Sequence, residues 1–156
     1  MTQLEARKSV VLSAQPKVAT VFDCANDMLS YATAQDFVTV LFSYVADIRA
    51  TGAKVAVATC LPQQVPSQPT NNTRFNARRV EVNNLIRTGV SAGKADAVID
   101  FAADPVMGPD AAAADLTLYK DGLHPTDGCG PGCGGQGKLA TIYKAAVDRL
   151  LATIGI

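Results

Sequence analysis

The chain has 156 residues but no tryptophan, a single histidine and only four cysteines. Small folds built on disulfides are dense in cysteine, so this composition excludes that class. Acidic and basic residues balance at 14 each, which leaves no basic excess for binding nucleic acid or an anionic membrane. The sequence also lacks a secretion signal at its start and an apolar run of about 20 residues. These absences predict no nucleic-acid or membrane partner, and a cytoplasmic or particle-associated location.

Apolar residues make up 48% of the sequence, which at this length is enough to bury one hydrophobic core. We therefore expect a single domain over residues 1–156. Short apolar segments predict strands at 17–23, 54–59 and 96–101. Helical patterns predict helices at 4–13, 33–50, 74–88 and 138–154. This alternation predicts an α/β fold with a parallel sheet and right-handed crossovers.

Polar residues follow the predicted strands. Asn26 comes just after the first strand, and a polar loop with two prolines, residues 63–73, comes after the second. The only histidine, His124, lies in a turn before the last helix, three positions after Asp121. In such a turn the carboxylate accepts a hydrogen bond from Nδ1–H and leaves Nε2 free as a base. Because ligands bind outside the carboxyl ends of parallel strands, we expect these segments to form a site.

Three motifs carry a family resemblance: Cys24-Ala-Asn26-Asp27, Leu61-Pro62, and Asp121-Gly-Leu-His124-Pro-Thr-Asp-Gly. Their order resembles the SGNH, or GDSL-type, hydrolases, whose later blocks are Gly-x-Asn-Asp and Asp-x-x-His-Pro. The resemblance implies a three-layer α/β/α, flavodoxin-like fold and a serine-dependent ester hydrolase. It implies His124 as general base, Asp121 as the carboxylate that orients it, and Asn26 as oxyanion donor. It implies neither cofactor nor metal, and an ester or acetylated carbohydrate as substrate.

The departures from the family pattern lie toward the start of the chain. The Gly-Asp-Ser block that holds the family's nucleophile is absent, as is the second block, and Cys24 stands where the family has glycine. The sequence therefore corresponds to the C-terminal portion of the family fold, with the N-terminal strands missing. Without them the strand at 17–23 becomes an apolar edge. We expect a second chain or a homo-oligomer to cover it, and the serine to come from another chain.

Two alternatives stay open. The first alternative is an inactive SGNH-fold module that serves in assembly or binding, for example as a particle or phage structural component. Cysteine chemistry is the other alternative, as a Cys–His nucleophile pair or as a zinc site of three cysteines and His124. The candidates are Cys24, Cys60, Cys129 and Cys133. A Cys129–Cys133 disulfide across the glycine-rich loop competes with both.

Other polar residues have structural interpretations. Thr33 is a plausible N-cap of the 33–50 helix, Asp27 is expected to cap the helix that follows it, and Asp100 to serve in a loop or cap. Aromatic residues at Tyr31, Phe37 and Tyr44 are expected in the core. Four arginines predict a solvated face on the 74–88 helix: Arg74, Arg78, Arg79 and Arg87.

Overall fold

In the computed structural model, residues 3–127 and 133–155 are described, and helices alternate with strands. The strands are β1 (Val18–Val21), β2 (Lys54–Ala58) and β3 (Ala97–Ile99). The α-helices are α1 (Gln3–Ala14), α2 (Ala34–Arg49), α3 (Pro69–Ser91) and α4 (Gly134–Ala152). Single 3-10 turns occur at Met28–Ser30, Phe101–Ala103 and Asp110–Ala114. The predicted alternation is thus confirmed.

Within the described residues the sheet has three strands in the order β1-β2-β3, all parallel. Val18 pairs with Lys54 and Ala56 pairs with Ala97. This confirms the predicted α/β fold with a parallel sheet. Each crossover contains one helix, as parallel pairing requires.

Helices cover both faces of the sheet. Successive side chains of a strand point to opposite faces, and in β2 Val55 and Val57 join a core cluster with α1, α2 and α3. Ala56 and Ala58 join a second cluster with α4 and the segment that contains Phe101 and Tyr119. Of the helices in the described ranges, none combines the length and the apolar character needed to cross a bilayer.

Helix α2 forms where local signals and burial agree. Its N-cap Thr33 accepts a hydrogen bond from the backbone N–H of Asp36, and the Asp36 carboxylate accepts one from Thr33 N–H, both at 3.1 Å. This reciprocal capping box confirms the predicted N-cap. The apolar stripe is buried, and it includes two of the predicted core aromatics, Phe37 and Tyr44. Tyr31 contacts Phe37 edge-on, with ring centroids 5.7 Å apart.

Helix α3 begins at Pro69, five residues before the predicted start, so part of the expected 63–73 loop is helical. A proline at the first helical position is favourable because the N–H there has no partner inside the helix. The periodicity was hidden because the buried face of this first half carries asparagines rather than apolar residues. Helix α4 likewise begins early, at Gly134, inside the glycine-rich segment.

Strand β1 has one paired and one unpaired edge in the described structure. Lys54 N–H donates to Lys17 O at 2.9 Å, and backbone groups alternate in direction along a strand. The N–H and C=O groups of Val18 and Thr20 therefore face away from β2. Phe22, just beyond the strand, is 54% exposed. The segment is thus an edge, as expected, and what covers it stays a prediction.

Candidate functional site

The turn that holds His124 is organised by the Asp121 carboxylate. Asp121 Oδ2 lies 2.8 Å from His124 Nδ1, and Oδ1 accepts hydrogen bonds from the N–H groups of Leu123 and His124 at 3.0 and 2.8 Å. Gly122 takes a φ of +80°, a conformation that residues with a Cβ rarely adopt. The turn therefore requires glycine between Asp121 and the two residues whose backbone N–H groups donate to its carboxylate.

Hydrogen bonds also set the charge of Asp121. The backbone N–H and then the imidazole of His124 lower the pKa of the Asp121 carboxyl to about 2. The carboxylate is thus ionised at neutral pH and acts only as an acceptor. An imidazole beside it places its proton on Nδ1, which leaves Nε2 as the basic nitrogen.

Two short backbone segments hold this turn in place. Tyr119 and Pro125 form an isolated antiparallel bridge. Lys120 N–H donates to His124 O at 2.9 Å, and Thr126 N–H donates to Leu118 O at 2.8 Å. Tyr119 is fully buried, so the bridge anchors an exposed histidine turn to the core.

His124 and Asn26 line the same cavity, which has a volume of about 270 Å³. The cavity lies beyond the carboxyl ends of β1 and β2, where the sheet topology predicts a site. Its other lining residues are mostly apolar: Phe22, Asp23, Cys24, Ala25, Leu61, Pro62, Phe75, Leu123 and Pro125. The structure thus brings together Asn26, the segment around Leu61 and the histidine turn.

Cys24 and Cys60 form a disulfide across this end of the sheet. This corrects the cysteine hypotheses, because a nucleophile or zinc ligand must be a thiolate and neither sulfur is one here. In the described ranges no group of three or more His, Cys, Asp or Glu residues could hold a metal ion. Cys133 is also disulfide-bonded, and its predicted partner Cys129 lies outside the described residues.

A model of the GDSL-like Lipase/Acylhydrolase family matches residues 1–128, which is most of the chain and includes Asn26, Asp121 and His124. The chain belongs to this family. No curated protein matches the sequence. The matched region ends just after the histidine turn, so helix α4 is the one described helix outside it.

Sequence reasoning missed a pair of neighbouring carboxyl groups in this GDSL-like domain, Asp23 in the cavity wall and Asp27 beside it. Burial, and then the neighbouring Asp27 carboxylate with its hydrogen bond, raise the pKa of Asp23 to about 6. Asp27 is only 5% exposed, and its side chain makes no capping bond to the Met28–Ser30 turn. The predicted capping role of Asp27 is therefore wrong, since its carboxyl group faces Asp23 instead. The sequence signal for this pair was the spacing of four residues between Asp23 and Asp27.

The predicted solvated face of arginines is also wrong in part. Arg79 is 4% exposed, donates to Gly108 O at 3.1 Å and forms an ion pair with Asp110. Arg87 pairs with Asp100 at 2.8 Å, which gives Asp100 an ion-pair role rather than a cap. These arginines tie α3 of the GDSL-like domain to the segments that follow β3.

Three buried asparagines of α3 were not singled out by sequence reasoning: Asn72, Asn76 and Asn83. Their side-chain amides bond the backbone of residues 60–65, which follows β2 and lines the cavity. The signal was their spacing of four and seven residues, which puts them on one helix face.

Proposed function

We propose that this domain carries the base half of an ester-hydrolysing site, with His124 as general base, Asp121 as its orienting carboxylate and Asn26 as oxyanion donor. One observation carries the proposal: an ionised carboxylate lies 2.8 Å from Nδ1 of a histidine that shares a cavity with Asn26. The chain belongs to the GDSL-like family, and the three roles are those that the motif resemblance implies.

In the proposed reaction Nε2 of His124 takes the proton of a serine hydroxyl as its oxygen attacks the ester carbonyl. The Asn26 amide donates to the oxyanion of the tetrahedral intermediate, a contact worth about 3–4 kcal/mol of barrier. The imidazolium then returns the proton to the leaving alcohol. Water repeats the sequence on the acyl-serine and releases the acid, so ester and water become acid and alcohol.

The serine would come from another chain. The chain has six serines, at positions 9, 13, 30, 43, 67 and 91, and in the described structure none of them lines the cavity. A strand paired in parallel with the free edge of β1 would end beside Asn26 and His124, because carboxyl ends of parallel strands share one edge. We propose that a second copy of this chain, or a different chain, adds there and supplies the hydroxyl.

The cavity favours a small neutral acyl group. Apolar side chains form most of its wall, and its volume of about 270 Å³ suits a short chain such as acetyl. No lysine or arginine of the described residues lines it, so nothing there would pair with an anionic acyl group. An acetyl ester, including an acetylated carbohydrate, is the substrate class we propose.

The competing function is an inactive module for assembly or binding. The lack of a serine in the cavity, together with the unpaired edge of β1, favours it. In that case the Asp121–His124 turn would be retained for its geometry alone.

Hydrolysis of p-nitrophenyl acetate by the purified chain, measured over a range of protein concentrations, separates the two. If copies complete one another, specific activity rises with concentration, is lost in His124→Ala, and a fluorophosphonate probe labels one serine by mass spectrometry. Rates equal to those of His124→Ala at every concentration, with no label, would contradict hydrolysis by assemblies of this chain and favour the binding module.

A further inference from the structure

The segment of residues 60–65 lies between helix α3 and the histidine turn and touches both. It follows β2, carries Leu61 and Pro62 in the cavity wall, and has no regular secondary structure. A segment without a strand partner must still satisfy its buried backbone groups. The partners that it uses are side chains of α3.

Asn76 and Asn72 bond this segment as a neighbouring strand would. Asn76 Oδ1 accepts from Gln63 N–H at 3.1 Å, and its amide donates to Gln63 O at 2.8 Å. Asn72 Oδ1 accepts from Val65 N–H at 3.1 Å, and its amide donates to Val65 O at 2.8 Å. Each asparagine thus supplies one donor and one acceptor to the segment. Both are buried, with Asn76 6% and Asn72 4% exposed.

Between these two anchored residues, Gln64 contacts the histidine turn. Gln64 N–H donates to Gly122 O at 2.6 Å. A Cβ on Gly122 would lie 2.2 Å from Gln64 O, so the two backbones are in direct contact. Gly122 lies between Asp121 and the two residues, Leu123 and His124, whose backbone N–H groups donate to the Asp121 carboxylate.

We propose that Asn72 and Asn76 are positioning residues for His124, acting through the backbone of residues 63–65 and its contact with Gly122. The inference rests on the proposed role of His124, but its readout is the imidazole itself rather than activity. The positioning role can therefore hold when the chain hydrolyses no ester, and it can fail when the chain does hydrolyse one.

The test is unusually direct because His124 is the only histidine in the chain. Two-bond proton–nitrogen correlation spectra of the neutral imidazole distinguish the Nδ1–H from the Nε2–H tautomer. In the native chain we expect Nδ1–H to predominate, since Asp121 accepts from it. In Asn76→Ala, and in Asn72→Ala, we expect that tautomer to fall to a minority and the amide exchange of Gln64 to accelerate, with the fold retained by circular dichroism.

Two variants on the same helix act as controls. Asn84 is exposed on α3 and accepts from Arg87 at 3.3 Å, away from residues 60–65, so Asn84→Ala should not change the tautomer. Asn83 is 2% exposed and bonds the backbone of Cys60 in the same two-sided manner, at 2.7 and 3.0 Å. The disulfide already anchors Cys60, so Asn83→Ala should lower the melting temperature without altering the tautomer.

The outcomes decide the proposal. An unchanged tautomer in folded Asn76→Ala and Asn72→Ala overturns it, as does an equal change in Asn83→Ala, which would mean general loosening. Should Asn76→Ala fail to fold, Asn72→Ala carries the same test, because Asn72 bonds the same segment from the first turn of α3.

Discussion

Cys24 and Cys60 are joined by a disulfide that ties the carboxyl end of β1 to that of β2, with Cα atoms 5.5 Å apart and 36 residues of sequence separation. Asn26 follows one cysteine and Leu61 the other, and both line the cavity. The bond therefore holds two walls of the candidate site at a constant spacing. Where the sequence resemblance implies a glycine, this chain has Cys24 and uses it for the crosslink.

Removing this disulfide should lower stability without abolishing the fold. Crosslinking a loop of this length constrains the unfolded chain by about 3–4 kcal/mol. We expect the double variant Cys24→Ala/Cys60→Ala to lose about that much free energy of unfolding, measured by guanidinium denaturation. A midpoint equal to that of the native chain would show that the bond does not form in solution.

Asp121→Asn should lower kcat/KM for p-nitrophenyl acetate by about 10⁴-fold in whichever assembly is active, because the imidazole loses the acceptor that selects its tautomer. Asp115→Asn is the matched control, since Asp115 also accepts from a neighbouring backbone N–H, that of Thr117, at 2.8 Å but lies outside the cavity lining. The pKa of Asp121 is lowered to about 2, so its own protonation should not produce the acidic limb of the pH–rate profile above pH 4. An equal rate in both variants would rule out the orienting role.

Asp23→Asn should stabilise the domain at neutral pH. The pKa of Asp23 is raised from 3.8 to about 6 by burial and by Asp27, so the unfolded chain ionises first as pH rises. Stability is therefore lost between about pH 4 and pH 6, and the loss persists above that range. Arg7 and Tyr44 also face this carboxyl group, and Arg7 opposes the shift.

The measurement for Asp23 is the free energy of unfolding of native and variant chains from pH 3.5 to 8. We expect the two curves to meet near pH 4 and to separate toward pH 7, with the variant higher. Glu81→Gln, at an exposed position of α3, should leave the curve unchanged. A variant that is less stable at neutral pH would contradict the raised pKa.

Thr20→Pro should block association through β1. The Thr20 N–H faces away from β2, so proline removes a donor from the free edge and leaves the existing sheet paired. Sedimentation velocity should show an assembly for the native chain and a monomer for Thr20→Pro. Thr20→Val is the control, because it removes only the hydroxyl that lies 3.3 Å from the Tyr143 hydroxyl and keeps the backbone N–H. A native chain that is monomeric at micromolar concentration would contradict self-association.

Local patterns were sufficient where a feature depends on residues close in sequence. The Asp121–His124 pair is three residues apart, and a turn that needs glycine at Gly122 brings the side chains together almost independently of the rest of the fold. The capping box of Thr33 and Asp36 is equally local. Apolar runs located all three strands to within two residues at each end, because parallel strands covered by helices on both faces are rich in apolar residues.

Features that join distant segments escaped sequence reasoning. The charge pattern predicts Arg79 at the solvent, but its partner Asp110 is 31 residues away and meets it only after the segment following β3 has packed on α3. Periodicity predicts a start for helix α3 that is five residues too late, because a face of asparagines is expected at the solvent until the backbone of residues 60–65 packs against it.

The sequence by itself thus determined the α/β class, the parallel direction of the strands and the Asp121–His124 pair. These features depend on short-range sterics and on hydrophobic patterning, which act within a few residues. Only the tertiary structure decided which cysteines pair, which polar side chains of α3 are buried, and that the carboxyl groups of Asp23 and Asp27 lie next to each other. The physical reason is that burial, not residue type, sets whether a thiol, an amide or a carboxyl group finds water or another protein group as its partner.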